Sequence, residues 1–325
     1  MWIKGAIVNN LLAAVAFAIE VTAPSIVMLL LGVFLKRTGQ VDGRFCAQAS
    51  KLVFNYGLPL LLFVNLMEHE IHYGEQSKVL AAGAITVMIL YLGAEWYAWK
   101  FIAQVRDKGV FVQGVFRSNL AIMGLALIMS AYGNEGVAAG AVYTGVITIL
   151  FNILAVITLS RSGSGSGWRK MVMVLKKIAT NPLIIGIVLA LVLQQCGVKL
   201  PETVLQTARS ISNMSLPLAL ICAGATFDMR SVLQKSDISL KASLGRLLIA
   251  PLLSVVVGLA FGLNHLGMGI IFLMNATPVA SSSYVMAKAM GGNDVAAANI
   301  MGITTFGAMF SAAVGVVVLR SLNLM

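Results

Sequence analysis

The densest run of chemically capable side chains in this sequence sits inside an apolar stretch. Asn275, Thr277, Pro278, Ser281, Ser282 and Ser283 fall close together, with hydrophobic residues on both sides. Pro278 cannot donate a backbone hydrogen bond and disrupts a helix where it stands. The hydroxyls then have two uses: they pair the freed backbone groups, or they face a polar cavity and hold a solute. A proline kink whose serines bond back to carbonyls uses the same residues for structure alone. An earlier segment carries a related set without a proline: Arg117, Ser118, Asn119 and Gly124. In an apolar surround the Asn119 amide must find partners. If both segments break, two half-helices begin near one another, and their free N–H groups and positive dipole ends favour an anion. On this reading Asn119, Thr277, Pro278, Ser281 and Ser282 are expected to bind substrate. Ser118, Gly124, Asn275 and Pro278 are expected to mark the interruptions themselves.

Other residues carry weaker signals. Asn55 with Pro59, and Asn213 with Ser215 and Pro217, mark two further interruptions; kinked helices capped by an amide explain them equally well. Pro24 and Pro182 read as structural. A charged residue within a span is functional by default. Glu95 is therefore either a proton carrier or the partner of Arg117 or Arg246, and pairing is the favoured reading. Lys288 can snorkel to an interface. The three histidines, His69, His72 and His265, fall at one side and cannot form a relay. No P-loop or HExxH motif is present, and Ser281–Ser283 has no credible His or Asp partner, so an enzyme is not expected. Cys46, Cys196 and Cys222 are odd in number and lack metal-ligand spacing, which excludes a disulfide framework and a metal site.

The elements that must position these residues follow from composition. Of 325 residues, 59% are apolar and 11% charged, with mean hydropathy +0.91. A soluble domain carries about 25% charged residues, so a soluble enzyme and a nucleic-acid-binding domain are excluded as classes. Ten apolar segments can be marked, near 11–35, 45–67, 78–103, 110–132, 136–159, 178–196, 203–227, 238–263, 266–290 and 294–319. A span needs about 20 apolar residues, so the expected fold is an all-α integral membrane protein of ten transmembrane helices. The Ser/Gly run 162–167 reads as a flexible linker at mid-chain.

That midpoint separates two copies. Pro24 pairs with Pro182, Gly39 with Gly197, Asn55 and Pro59 with Asn213 and Pro217, and Gly133 with Gly291, all 158 residues apart. Five spans per copy make the second copy enter from the opposite face, so the copies are inverted repeats, a common transporter architecture. The expected division is 1–160, a cytoplasmic linker 161–170, and 171–325. With both termini outside, Lys4, Lys78, Lys199, Arg209 and Arg320 fall outside, and the other eighteen of the 23 lysines and arginines fall inside. This obeys the positive-inside rule. The net charge of +11 is thereby an orientation signal.

The ordered set Asn55 to Pro59, Ser118-Asn119 with Met123-Gly124, Asn181-Pro182, Ser215 to Pro217, and Pro278 with Tyr284 to Lys288 resembles the auxin efflux carrier family. That family includes plant auxin exporters and bacterial malate or malonate permeases, and it is related to sodium–bile acid symporters. The resemblance implies a scaffold of spans 1, 2, 6 and 7, and a transport unit of spans 3–5 and 8–10. Spans 4 and 9 would cross at broken centres, with substrate beside the crossing and an elevator-type shift. It implies site contributions from Asn119 and Pro278, and a second-span contribution near Asn55 and Gly57, with Pro59 and Pro217 as hinges. The expected substrate is a small organic anion, a mono- or dicarboxylate. No cofactor is expected, and proton or sodium coupling stays open; a bile-acid-like symporter and a passive channel are the alternatives. The expected partners are the substrate and the lipid bilayer of a bacterial inner membrane; related carriers often form homodimers, and the oligomeric state stays open. One departure matters: Ser118 stands where the plant carriers have a proline, which weakens the expectation of a sharp break in the fourth span.

Overall fold

The computed structural model describes residues 2–68, 73–159, 179–226 and 237–325, with Val172 and Lys176. The expected linker 161–170, the loop residues 69–72 and the Lys288 side chain lie outside the described residues. The described residues are helical throughout, apart from turns and one isolated antiparallel bridge. We number the helices α1 Trp2–Arg37, α2 Gly43–Leu52, α3 Leu58–Glu68, α4 Tyr73–Phe101, α5 Val105–Phe116, α6 Leu125–Leu159 and α7 Pro182–Gln195. Next come α8 Glu202–Asn213, α9 Ser215–Ala225, α10 Asp237–Leu244, α11 Ala250–Ala260, α12 His265–Asn275, α13 Ser281–Ala289 and α14 Asp294–Ser321. Among the described residues, three π-turns, Val53–Gly57, Leu120–Gly124 and Gly245–Ile249, run directly into α3, α6 and α11.

Among the described residues, six stretches are long and apolar enough to cross a membrane: Leu12–Arg37, Gly43–Glu68, Gly74–Phe101, Leu120–Leu159, Asp237–Ala260 and Asp294–Ser321. The fourth is 40 residues, about 60 Å if straight and about twice the hydrocarbon thickness. It does not run straight, because Gly133 turns it with φ 62° and ψ −152°, a backbone region open only to glycine. The outward faces carry large apolar side chains, among them Leu30, Trp99, Leu252 and Phe310, the last 75% exposed. Such a belt belongs in lipid.

Local chemistry explains many boundaries. Two π-turns precede prolines at the same spacing, Val53–Gly57 before Pro59 and Gly245–Ile249 before Pro251. The missing proline N–H leaves a carbonyl unpaired one turn back, and the widened turn accommodates it. Asp42, Asn181, Asn264 and Asn293 cap α2, α7, α12 and α14 through their side chains. Gly39 and Gly197 end α1 and α7 with φ 74° and 67°. Each end closes with the same two bonds: Gly39 N–H to Lys36 O and Gln40 N–H to Leu35 O, then Gly197 N–H to Gln194 O and Val198 N–H to Leu193 O. Gly133 and Gly291, also 158 apart, both take positive φ.

Packing sorts the helices. The helix α1 lies along α9 and α14, and α3 lies along α7 and α8. At the α1–α9 crossing the backbones touch: a Cβ on Gly32 would strike the Ile221 carbonyl, and one on Gly224 would strike the Leu29 carbonyl. The helix α4 packs on α5, α6 and α11, and α12 packs on α11 and α6. The loops are tied across the chain as well. Asn293 donates to the buried Asp107 carboxylate at 2.7 Å, and Arg106 donates to the Gly291 carbonyl at 3.1 Å.

Candidate functional site at the crossing

Two interruptions meet. The helix α12 ends at Asn275, three residues before Pro278, whose absent N–H stops it from continuing. The helix α5 ends at Phe116, and Arg117 to Asn119 run extended. The two extended pieces lie antiparallel, with Ser118 bridged to Val279. Asn119 N–H donates to the Pro278 carbonyl at 2.9 Å, and Ala280 N–H donates to the Arg117 carbonyl at 3.4 Å. Thr304 of α14 accepts from Val279 N–H at 3.1 Å. Broken backbone inside an apolar interior must satisfy its own polar groups, and here each break supplies partners to the other. The fourth segment therefore breaks fully without the proline, which resolves the doubt raised by Ser118.

The arginine Arg246 completes the crossing. Its Nη1 donates to the carbonyls of Val115 and Phe116 at 3.2 and 3.0 Å, and its Nη2 donates to the Asn275 carbonyl. The Asn275 amide donates to Ile271 O at 2.9 Å and to the Tyr143 hydroxyl at 3.3 Å, and Thr277 Oγ1 donates to Met274 O at 3.0 Å. Asn275 and Thr277 thus stabilise the end of α12. The close fit extends to Gly124, where a Cβ would meet Met274 Sδ at 2.5 Å.

Beside the crossing lies a cavity of about 390 Å³. The crossing side contributes Arg117, Ser118, Asn119, Ala280, Ser281 and Ser282; α6 contributes Thr148, Phe151 and Asn152; Phe54, Asn181 and Leu183 close the far side. The N-terminal turns of α13 and α7 and the π-turn at Leu120 all open onto it. The Asn119 side chain caps nothing and is left for the cavity. The Ser118 hydroxyl is buried with no hydrogen-bond partner among the described residues.

The guanidinium Arg117 is the one charged group lining this cavity among the described residues. It is 5% exposed. Its Nη2 donates to Asn152 Oδ1 at 2.9 Å and its Nη1 contacts Met286 Sδ at 3.0 Å. In the amide orientation that satisfies both its ends, Gln113 also accepts from Nη1 at 3.2 Å and donates to the Ser283 carbonyl. Glu95, expected to pair with Arg117 or Arg246, is not among the groups that hold either guanidinium. Arg117 is held by an amide and a thioether, and Arg246 by three carbonyls. The extended chain after α5 turns Arg117 towards α6 and the cavity, a direction that helical spacing from Glu95 cannot reveal.

The other expected site residues lie elsewhere. Asn55 is half-buried in the first π-turn, while its neighbour Phe54 reaches the cavity. Gly57 packs against Ser215, where a Cβ would strike the Ser215 hydroxyl oxygen. Pro59 meets Gly186 of α7 across a close contact, and Pro217 sits in the first turn of α9. Thr277 and Asn275 are buried behind the crossing. Sequence reasoning missed Asn152, Thr148 and Asn181 as cavity residues. Their signal was present: Thr144, Thr148 and Asn152 recur every four residues along an otherwise apolar helix.

Comparison with known proteins agrees with a membrane transporter. A family model described as membrane transport protein matches residues 17–165 and again 166–316. The chain is 26% identical over 277 residues to the uncharacterized transporter YfdV of Escherichia coli K12, across 82% of this chain and 86% of that one. It is 24% identical over 276 residues to an uncharacterized transporter of Methanothermobacter thermautotrophicus, across 82% and 87% of the two chains. The sodium proton antiporter MjNhaP1 of Methanocaldococcus jannaschii superposes with TM-score 0.51 over 97% of this chain and 99% of that one, at 12% identity. That likeness is one of fold alone.

Proposed function

The chain belongs to the membrane transport protein family, the auxin efflux carriers, and from that premise we propose that it carries a small organic anion through the cavity beside the crossing. One observation carries the reading: the buried Arg117 guanidinium faces the cavity, and no described lining residue is acidic. Burying a cation without a counter-charge costs several kcal/mol, and an opposite charge with good hydrogen-bond geometry offsets part of that cost. Asn152, Met286 and Gln113 take both Nη1 hydrogens and one Nη2 hydrogen. Of the five guanidinium N–H groups, Nε–H and one Nη2–H are left for a carboxylate. The N-terminal turn of α13 adds backbone N–H groups, and α7, whose Leu183 N–H is already taken by Asn181, adds its positive dipole end. Ser118, Asn119, Ser281 and Ser282 supply further donors. A cation substrate is disfavoured by the same charge.

The reading includes the architecture. Ten spans form two inverted five-span repeats, 1–160 and 171–325, with the linker and eighteen of the 23 lysines and arginines on the cytoplasmic side and both termini outside. The repeated helix ends at Gly39 and Gly197 and the tandem family match support this. The scaffold comprises α1–α3 and α7–α9; the transport unit comprises α4–α6 and α10–α14. The cavity has walls from both, Phe54, Asn181 and Leu183 from one and Arg117, Asn119 and Ser281 from the other. A sliding transport unit would carry the anion past those scaffold side chains, as an elevator does.

The test is uptake into proteoliposomes of a panel of mono- and dicarboxylates, with pH and sodium gradients imposed separately. Saturable anion uptake, weakened in Arg117→Gln, is the expected result. Absence of flux for every anion, or saturable flux of an inorganic cation, would overturn the reading.

A further inference from the structure

The crossing holds a second buried guanidinium, and it does different work. Arg246 is 0% exposed and is among the largest fully buried side chains. It lies outside the cavity lining. Its recipients are the last carbonyls of α5, those of Val115 and Phe116, and the last carbonyl of α12, that of Asn275. One side chain therefore closes the C-terminal ends of both interrupted helices.

The physical need is clear. A helix C-terminus carries about half a negative charge and leaves carbonyls without partners. Two such ends brought together in a dry interior repel each other. Pro278 and the extended residues 117–119 offer no N–H groups towards those three carbonyls. A cation at that point answers both problems, and no carboxylate is among the contacts that hold it. Its Nε–H has no acceptor among the described residues, so the carbonyls alone orient the guanidinium.

We infer that Arg246 is a resident cation: from the chain itself it fills the carbonyl-lined position where a metal cation from solution would otherwise be required to hold the two broken helices together. The crossing is then fully assembled without bound sodium or potassium. It also follows that removing the side chain creates a vacant carbonyl cradle that takes up cations. This concerns the crossing and is independent of which solute occupies the cavity, so failure of anion transport and failure of this inference are separate results.

The test uses the full chain purified in detergent, with unfolding followed by the emission of its four tryptophans. Wild type should show the same Tm in sodium, potassium and choline chloride at equal ionic strength. Arg246→Ala should lower Tm by more than about 5 °C, and low millimolar guanidinium chloride should restore part of the loss. Neither wild type nor Arg209→Ala, which removes an arginine from an exposed ion pair with Glu68 and Glu202, should respond to guanidinium. A sodium-specific rise of the wild-type Tm would overturn the inference, and that measurement needs no variant. So would Arg246→Ala with wild-type stability, or a lowered Tm that guanidinium, sodium and choline all leave unchanged. If Arg246→Ala does not fold, Arg246→Lys and Arg246→Gln replace it: the lysine variant should retain more of the Tm than the glutamine variant, and the reverse order would refute a role for the charge.

Discussion

Removing the charge of Arg117 is the sharpest test of the anion reading. Arg117→Gln keeps a polar side chain, two bonds shorter, and leaves the backbone of residues 117–119 in place, since its bonds to Pro278 and Ala280 use main-chain atoms. What disappears is a buried positive charge with two N–H groups to spare. A hydrogen bond to a charged group contributes about 1.5–3 kcal/mol. The Coulomb energy at 4 Å is about 4 kcal/mol at an effective dielectric of 20, part of which a carboxylate loses on leaving water. A net loss of about 1.5–3 kcal/mol corresponds to a KM or Kd raised about 10- to 150-fold. The assay is concentration-dependent uptake into proteoliposomes, using whichever acid of the panel wild type takes up best. The neutral amide of that acid supplies the second arm of a double-mutant cycle. Wild type should discriminate strongly between acid and amide, and Arg117→Gln should discriminate far less. Equal discrimination by the two proteins, at equal Tm and equal reconstitution, would refute the role of this guanidinium.

Further predictions rest on the packing. Gly224→Ala should lower Tm, because its Cβ would strike the Leu29 carbonyl, while Gly93→Ala, with open space around it, should be neutral or stabilising by up to about 1 kcal/mol; thermal unfolding of both variants decides this. Gly133→Ala should destabilise by about 1–3 kcal/mol, since φ 62° with ψ −152° is open only to glycine, and the same scan measures it. Asp107→Ala and Asn293→Ala should couple by about 0.5–3 kcal/mol, since the 2.7 Å bond between them ties α5 to the turn before α14; a double-mutant cycle on Tm would show additivity if the tie is unimportant.

Several of these features can be read in the one-dimensional pattern because each follows from local chemistry. Pro278 lacks an N–H in any context, so an interruption there is legible. Gly39, Gly133, Gly197 and Gly291 sit at one offset of 158, and all four adopt positive φ. Asn119, Ser281 and Ser282 stood out as polar groups in apolar segments, and they line the cavity. Gly57 and Thr277 stood out equally, yet one packs on Ser215 and the other bonds to Met274. Residue type marks a polar need; it does not say whether a helix end or a solute meets it.

By itself, then, the sequence determined an apolar, helical membrane chain, its internal repeat, and the positions of most interruptions. Hydropathy, proline chemistry and glycine freedom act within a few residues of one another, so linear order is enough to express them. Only the tertiary structure decided how the fourth segment breaks and which cations serve which purpose. The break at Arg117 to Asn119 lacks a proline and exists because Pro278, Ala280 and Arg246, over a hundred residues away, satisfy its backbone. Arg117 and Arg246 read alike in sequence, each as a possible partner of Glu95. One points into a cavity beside Asn152, and the other closes two helix ends. That difference is set by which carbonyls and amides the folded chain brings within about 3 Å, a distance at which hydrogen bonds form and which no spacing along the sequence encodes.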